Sequence, residues 1–445
     1  MNNTPGSQRL RILTEGKSHT SSLRGKQKRQ SKVAVKNNRL KAGHITMFLF
    51  SRIRTILFSK GHKLRHLLCY SDYVLRIFPR KPFSSPTQIL INAIRWLKCA
   101  HTKGKSIMKP NVLVTNDKTP SAGIEILEKW CEVEIYKGDR LITRAELKRR
   151  IKDKDAVLCQ AIDKFDKAIV GAAKKLKVIA TATAGYDNVD IVEATRRGIY
   201  VTYSPVESGV TETTADFTWA LLMALARRIP EAHKLVTSGK WKGWSPTLCM
   251  GVEIRRKVLG IVGLGRIGNT IARTAKCFDM KVIYFDIMRQ TPEREKELGI
   301  TYQPIDALLK QSDFVCLHVP LLKETLQLIS EDRLKMMKPT AFLINASRGP
   351  VVDEKALIKA LREKWIAGAA LDVYEKEPAE KTNPLLKMDN TILTPHIGGA
   401  AKETRERMAK CTARYLIEVL KGEKPIYLAN PEVMKVRPLS EVKMI

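Results

Sequence analysis

After Met108 the chain holds three histidines, His233, His318 and His396. Histidine is the side chain best suited to exchanging a proton near neutral pH, provided it projects into a cleft. His396 lies in Thr394-Pro395-His396-Ile397-Gly398-Gly399, directly after a strand-like run, where a side chain at the strand's end reaches the crevice. His233 falls on a helical stretch and His318 inside a strand, so both read as structural. Arg348 has a comparable place in Asn345-Ala346-Ser347-Arg348-Gly349, just past another apolar run, and its planar cation suits a carboxylate. Glu377, in Asp372-Val373-Tyr374-Glu375-Lys376-Glu377-Pro378, also follows a strand, although an acid there reads equally well as a surface residue. A proton donor and a carboxylate-holding cation at one crevice are what hydride transfer to a 2-oxo acid requires.

A second motif supplies the missing reductant. The run 257–262 leads into Gly263-Leu264-Gly265-Arg266-Ile267-Gly268, and a helical pattern follows. Three glycines in six residues mean little alone; between a strand and a helix they mark a dinucleotide site. Gly263 permits the tight turn, Gly265 lets the backbone approach a pyrophosphate, and Gly268 lets helix and strand pack closely. The free N–H groups at the helix start, on Arg266 and Ile267, then meet the phosphate charge. Asp286 ends the next strand, where a carboxylate accepts hydrogen bonds from the ribose hydroxyls and repels a 2′-phosphate. NAD is therefore expected over NADP, with Arg289 as the one nearby residue pointing the other way.

Positioning these groups takes a regular scaffold, and the hydrophobic pattern provides one. Strands are expected at 111–115, 131–136, 156–160 and 177–182, alternating with helices at 121–130, 143–151 and 167–176. A second series follows, with strands at 257–262, 281–285, 313–319, 341–345, 367–373 and 391–394 and helices at 266–278 and 354–365. Alternation of this kind implies parallel sheets covered on both faces. The expected class is α/β, with two doubly wound, Rossmann-like domains in tandem. Between them the run 214–228 is apolar all round, as for a helix buried between domains or subunits. The last clear element is a helix at 404–420, closed by Gly422.

From about Met108 to Asn430 the chain resembles the D-isomer-specific 2-hydroxyacid dehydrogenases, particularly their glyoxylate and hydroxypyruvate reductases. The runs GLGRIG, NASRG, LDVYEKEP and TPHIGG occur in that family's order. The resemblance implies that Arg348 binds the substrate's carboxylate and carbonyl, that His396 is the acid/base, and that Glu377 pairs with it. A carboxylate partner favours the protonated ring, which suits it to donate during reduction. By the same resemblance Asp372 binds the nicotinamide carboxamide and Thr214 lines the cofactor. The N–H groups of Ala184 and Gly185, in Thr183-Ala184-Gly185-Tyr186-Asp187-Asn188, would hold the substrate carboxylate. It further implies a discontinuous substrate domain, 108–207 with 397–445, an NAD-binding domain at 208–396, and a homodimer with the 214–228 helix at its interface.

Within the family, Ala184 stands where phosphite dehydrogenases place Lys, and Glu377 where formate dehydrogenases use Gln, so neither activity is expected. The chain ends about 25 residues after its last clear helix, unlike phosphoglycerate dehydrogenases that carry a regulatory domain. Trp244 and Pro246, in Trp241-Lys242-Gly243-Trp244-Ser245-Pro246, resemble a loop of glyoxylate reductases. Glyoxylate is the expected substrate, with hydroxypyruvate, 3-phosphoglycerate and larger 2-oxo acids as alternatives. A different class also shares this fold: NAD-sensing corepressors that bind peptides and keep the same Arg, Glu and His.

The net charge of +34 is unevenly spread. Residues 1–107 carry 23 Lys and Arg against only Glu15 and Asp72. That asymmetry argues against reading the whole protein as a nucleic-acid binder. The segment reads as a basic extension, disordered or no part of the working protein, with Met108 as the natural start. A transit peptide, or an arm touching nucleic acid or an anionic membrane, is the alternative if it is real. The eight cysteines form no C-x-x-C pair, which fits a reducing, cytoplasmic setting. His62, His66 and Cys69 lack a fourth ligand, so no metal is expected. No apolar run approaches the roughly 18–20 residues that span a bilayer.

Overall fold

A computed structural model describes residues 109–138 and 141–445. The basic extension, the start at Met108 and the His62, His66, Cys69 group lie outside the described residues.

The first sheet has five parallel strands: β1 (Asn111–Val114), β2 (Glu132–Ile135), β3 (Ala156–Cys159), β4 (Val178–Thr181) and β5 (Tyr200–Thr202), in the order β2-β1-β3-β4-β5. β3, β4 and β5 are buried at every residue, because helices cover both faces and leave no polar side to alternate with. Three of the four crossover helices begin at side-chain caps, the exception being Ser121–Glu128 after Pro120. Thr143 Oγ1 accepts the Glu146 N–H in a Thr-x-x-Glu box, Asp166 accepts from Ala168 and Ile169, and Asp190 accepts from Glu193. The helix Lys402–Leu420, from the far end of the chain, packs on β3, β4 and β5 and on the helix Ser121–Glu128.

The second sheet has seven parallel strands: β6 (Val258–Val262), β7 (Lys281–Phe285), β8 (Ile300–Tyr302), β9 (Phe314–Leu317), β10 (Phe342–Asn345), β11 (Gly368–Leu371) and β12 (Thr391–Leu393). Their order is β12-β11-β10-β9-β6-β7-β8. The chain runs outward from β6 to β8, then returns to β9 on β6's other side. That reversal opens a crevice at the carboxyl ends of β6 and β9, where Val262 pairs with Leu317.

Several expectations need correction. The helix expected at 214–228 runs Val210–Ala226, so Thr214 lies inside it rather than at its start. Its first turns, Val210-Thr211-Glu212-Thr213-Thr214, are rich in β-branched residues that weaken a helix signal. Packing holds them instead, including a 2.7 Å hydrogen bond between the Thr213 and Thr404 hydroxyls. This helix also covers itself within the chain: Ala215, Trp219, Leu222 and Ala226 pack with Leu259, Ile261 and Ile344 of the second sheet. The uncovered apolar residues come next, on the helix Ile229–Thr237, which has no buried residue, and on the loop to Val252. The helix 404–420 is not the last element, since the short helices Val433–Val436 and Leu439–Val442 follow. β5, β8 and the helices Ile191–Arg196, Pro292–Leu298, Ile305–Gln311 and Glu331–Met336 were not expected; each spans two turns or less, too short for a clear period. Among the described residues no helix is long and apolar enough to cross a membrane.

Candidate active site

The loop after β12 carries His396 and is shaped around one buried carboxylate. Asp372, which follows β11 and is 1% exposed, accepts from Thr394 Oγ1 at 2.7 Å and Ile397 N–H at 2.8 Å on Oδ1, and from Gly398 N–H at 2.8 Å on Oδ2. The Asp372 carbonyl accepts the His396 N–H at 2.9 Å. His396 itself sits at φ 55, a left-handed conformation that a non-glycine residue holds only when its surroundings enforce it. Here the Asp372 contacts on either side supply that enforcement. A carboxylate has about four acceptor positions, so one of Asp372's remains.

Glu377 reaches the same loop from beyond β11. Its Oε2 lies 2.7 Å from His396 Nδ1, and its Oε1 accepts the Tyr374 N–H at 3.2 Å. Burial alone would raise this carboxyl's pKa. The hydrogen bond and charge of His396, with smaller help from Tyr374 and Arg348, outweigh burial and hold it below the ordinary value.

Arg348 projects from the loop after β10, which Asn345 ties down by accepting from Ser347 N–H and Oγ and donating to the Arg348 carbonyl. Its guanidinium crosses to the loop after β4. Nε and Nη2 donate to Asp187, the shortest contact being 2.8 Å, and Nη1 donates to the Ser347 carbonyl at 2.8 Å. Burial would raise Asp187's carboxyl pKa, but its bonds to Arg348 and the nearby charges of Arg348 and His396 lower it overall. The guanidinium lies so close to Gly185 that a Cβ there would meet Nη2 at 2.3 Å. Thr181 and Thr183 both donate to the Gly185 carbonyl, fixing this turn. The N–H groups of Ala184 and Gly185 donate to nothing among the described residues. A cation, two unused amides and a histidine thus converge on one edge, an arrangement suited to a carboxylate with a reactive carbonyl beside it.

The glycine turn lies at the β6–β9 crevice. Gly263 has φ 93, and a Cβ would meet the His318 carbonyl oxygen at 2.7 Å. Gly268 is closer still, with the Gly263 carbonyl oxygen 2.2 Å from any Cβ. A Cβ on Gly265, by contrast, would meet nothing within 4 Å. There is room where a phosphate must approach. The helix Arg266–Ala275 makes its first backbone bond from Asn269 to Gly265, leaving the Arg266, Ile267 and Gly268 N–H groups for a ligand. Asp286 accepts from Leu264 N–H at 2.7 Å and Met288 N–H at 3.2 Å, which leaves acceptor positions for ribose hydroxyls. These residues fit a dinucleotide. Thr214 and Asp372 flank Gly398, whose Cβ would lie 3.4 Å from Thr214 Cγ2 and 3.2 Å from Asp372 Oδ2. The cofactor-lining candidates therefore adjoin the His396 loop.

Of the other histidines, His318 is buried at both ring nitrogens with no partner, and burial pushes its pKa down to about 3. His233 is exposed on the helix Ile229–Thr237, so it is no part of the structural core. Sequence reasoning missed Asp187, because nothing local marks an acid whose partner lies 161 residues away. It also missed Arg405 on the terminal helix, whose pKa burial lowers while Asp372's charge acts in the opposite sense. Among the described residues no group of three or more His, Cys, Asp or Glu is arranged to hold a metal ion.

Comparison with known proteins gives a consistent result. The family model for the D-isomer specific 2-hydroxyacid dehydrogenase, NAD binding domain, matches residues 219–398. A glyoxylate reductase of Thermofilum pendens is 50% identical over 339 residues, 76% of this chain and 99% of the relative. Among solved structures, the TT0316 protein from Thermus thermophilus is 39% identical with a TM-score of 0.66, covering 72% of this chain and 99% of that one. A D-lactate dehydrogenase from Aquifex aeolicus, complexed with NAD and lactic acid, is 30% identical with a TM-score of 0.63, over 70% of this chain and 96% of its own.

Proposed function

The chain belongs to the D-isomer-specific 2-hydroxyacid dehydrogenase family, and we propose that it reduces glyoxylate, or a similarly small 2-oxo acid, with NADH. The observation that carries this reading is the His396–Glu377 pair at 2.7 Å beside Arg348 and the unused amides of Ala184 and Gly185. The identity to glyoxylate reductases favours glyoxylate as the first substrate to test. NADH, when bound, supplies the hydride.

The chain's own residues do the rest. Arg348 and the Ala184 and Gly185 amides bind the substrate carboxylate, and the guanidinium polarises the adjacent carbonyl. His396 donates its proton to the carbonyl oxygen as negative charge develops there. Glu377, bonded to Nδ1, leaves Nε2 as the donating atom and compensates the ring's charge before transfer. Asp372 holds the His396 loop and offers its remaining acceptor position to a carboxamide N–H. Thr214 lines the same pocket. Gly263, Gly265, Arg266, Ile267 and Gly268 cradle the pyrophosphate, with Asp286 on the adenosine ribose.

The organisation follows from the same reading. Residues 108–207 with 397–445 form the substrate domain and 208–396 the NAD-binding domain. A homodimer uses the apolar arm from Ile229 to Val252, and the six free cysteines of the described residues suit a cytoplasmic enzyme.

NADH oxidation by the purified chain against glyoxylate, hydroxypyruvate and 3-phosphohydroxypyruvate tests the substrate. His396→Asn should lower kcat by about 10²–10⁴-fold while NADH still quenches protein fluorescence. A variant with near-full turnover would overturn the acid/base assignment, and turnover of none of the three acids would overturn the substrate class.

A further inference from the structure

The turn after Asp286 leads through Arg289 to the helix Pro292–Leu298. Arg289 is the cation expected to tolerate a 2′-phosphate, yet it is already engaged. Nε and Nη2 donate to the two carboxylate oxygens of Glu295 at 2.9 and 3.0 Å. The guanidinium also lies 5.4 Å from the centroid of the Tyr302 ring on β8. Glu295 is fixed from behind: the hydroxyl of Tyr284, a fully buried residue of β7, donates to its Oε1 at 2.8 Å. That hydroxyl in turn accepts the Gln290 N–H at 2.8 Å, tying the latch to the turn itself. The Glu295 side chain is 13% exposed and that of Arg289 61%. The acid is the anchor and the arginine the tethered member.

We propose that Glu295 is a specificity-determining residue for the cofactor, holding Arg289 in a closed fork so that it does not neutralise a 2′-phosphate. The inference rests on the reading of Asp286 as the ribose-facing acid. With Glu295 present, Asp286, Arg289 and Glu295 together carry one net negative charge at this edge, which disfavours a dianionic phosphate. Without that acid the three positions are neutral, and the guanidinium's bidentate face is available to phosphate oxygens. An exposed ion pair of this kind is weak by itself. Stacking on Tyr302 and the Tyr284 hydroxyl add order to it, so the latch biases the choice and Asp286 remains its main determinant.

The experiment uses ligands that carry no redox chemistry. Adenosine 2′,5′-bisphosphate and AMP are titrated calorimetrically into the full chain, and the ratio of their dissociation constants is read. The wild type should prefer AMP. Glu295→Gln, which keeps hydrogen-bonding capacity for Tyr284, should bind the bisphosphate about ten-fold tighter, with AMP unchanged. Glu295→Gln combined with Arg289→Ala should return the ratio to the wild-type value. Arg289→Ala alone should leave it near that value, since the cation it removes is already tied up. If Glu295→Gln leaves the ratio unmoved, or the gain survives loss of Arg289, the latch is refuted while the cofactor site stands. If the wild type binds neither nucleotide, or Asp286→Ala does not improve bisphosphate binding, the reading of the site itself falls, and the latch with it.

Discussion

Glu377 is half-buried, so its low pKa reflects its partners rather than exposure to water, with His396 outweighing burial. A carboxyl depressed in the folded state stabilises the fold fully above its unfolded value, near pH 4, and loses that contribution as pH falls through the lower folded value. Glu377→Gln should therefore melt below the wild type at about pH 5–6, with the gap closing below about pH 4. A gap that widens toward acid would contradict the pairing. Arg348 makes a second residue-scale case. Its fork engages Asp187 and the Ser347 carbonyl together, which a lysine's single ammonium cannot reproduce. Arg348→Lys should lower kcat/KM for glyoxylate by about 10²-fold or more, mostly through KM, with NADH affinity retained. Retention of wild-type KM would remove Arg348 from the carboxylate site. His396 and Arg348 were legible in the sequence because each follows a strand, where the fold turns side chains into the crevice. Asp187 was not, since its meaning lies in a partner on the other sheet.

At the scale of elements, what the sequence displayed was periodicity, and what it hid was packing. β7 occupies 281–285 as expected, because an apolar run ends there at Asp286 and starts after a turn. The start of the helix Val210–Ala226 was hidden because threonines and valine, poor helix formers, are held there by contacts with the terminal helix. That terminal helix, Lys402–Leu420, shows the same dependence in reverse. It closes one face of a sheet whose strands lie more than 200 residues earlier, and Leu416, with no exposed surface, sits among Val178, Ala180 and Tyr200. Leu416→Ala should cost about 2–5 kcal/mol, read as a lower urea midpoint with unchanged slope. A cost under about 1 kcal/mol would mean that the helix is a late, weakly docked addition rather than part of the core.

For the whole molecule the open question is what covers the arm. From Ile229 to Val252 apolar side chains stand in solvent, among them Trp244 at 82% exposure and Met250 at 67%. The helix Ile229–Thr237 has only nine residues, and a helix that short is marginal in water without packing. None of its residues is buried by its own chain. Contiguous apolar surface of this kind marks an interface, and a closed two-fold dimer is the commonest way to bury it. The preceding helix, Val210–Ala226, packs Ala215, Trp219, Leu222 and Ala226 with residues of the second sheet, and the exposed apolar surface follows it in the chain. Ile229→Asp combined with Val236→Asp should turn a dimer into a monomer in light scattering at micromolar concentration. The monomer should keep the far-ultraviolet dichroism of the wild type, because the substituted positions contribute nothing to its own core. A wild type that is already monomeric, or a double variant that stays dimeric, would mean that the arm serves some other contact.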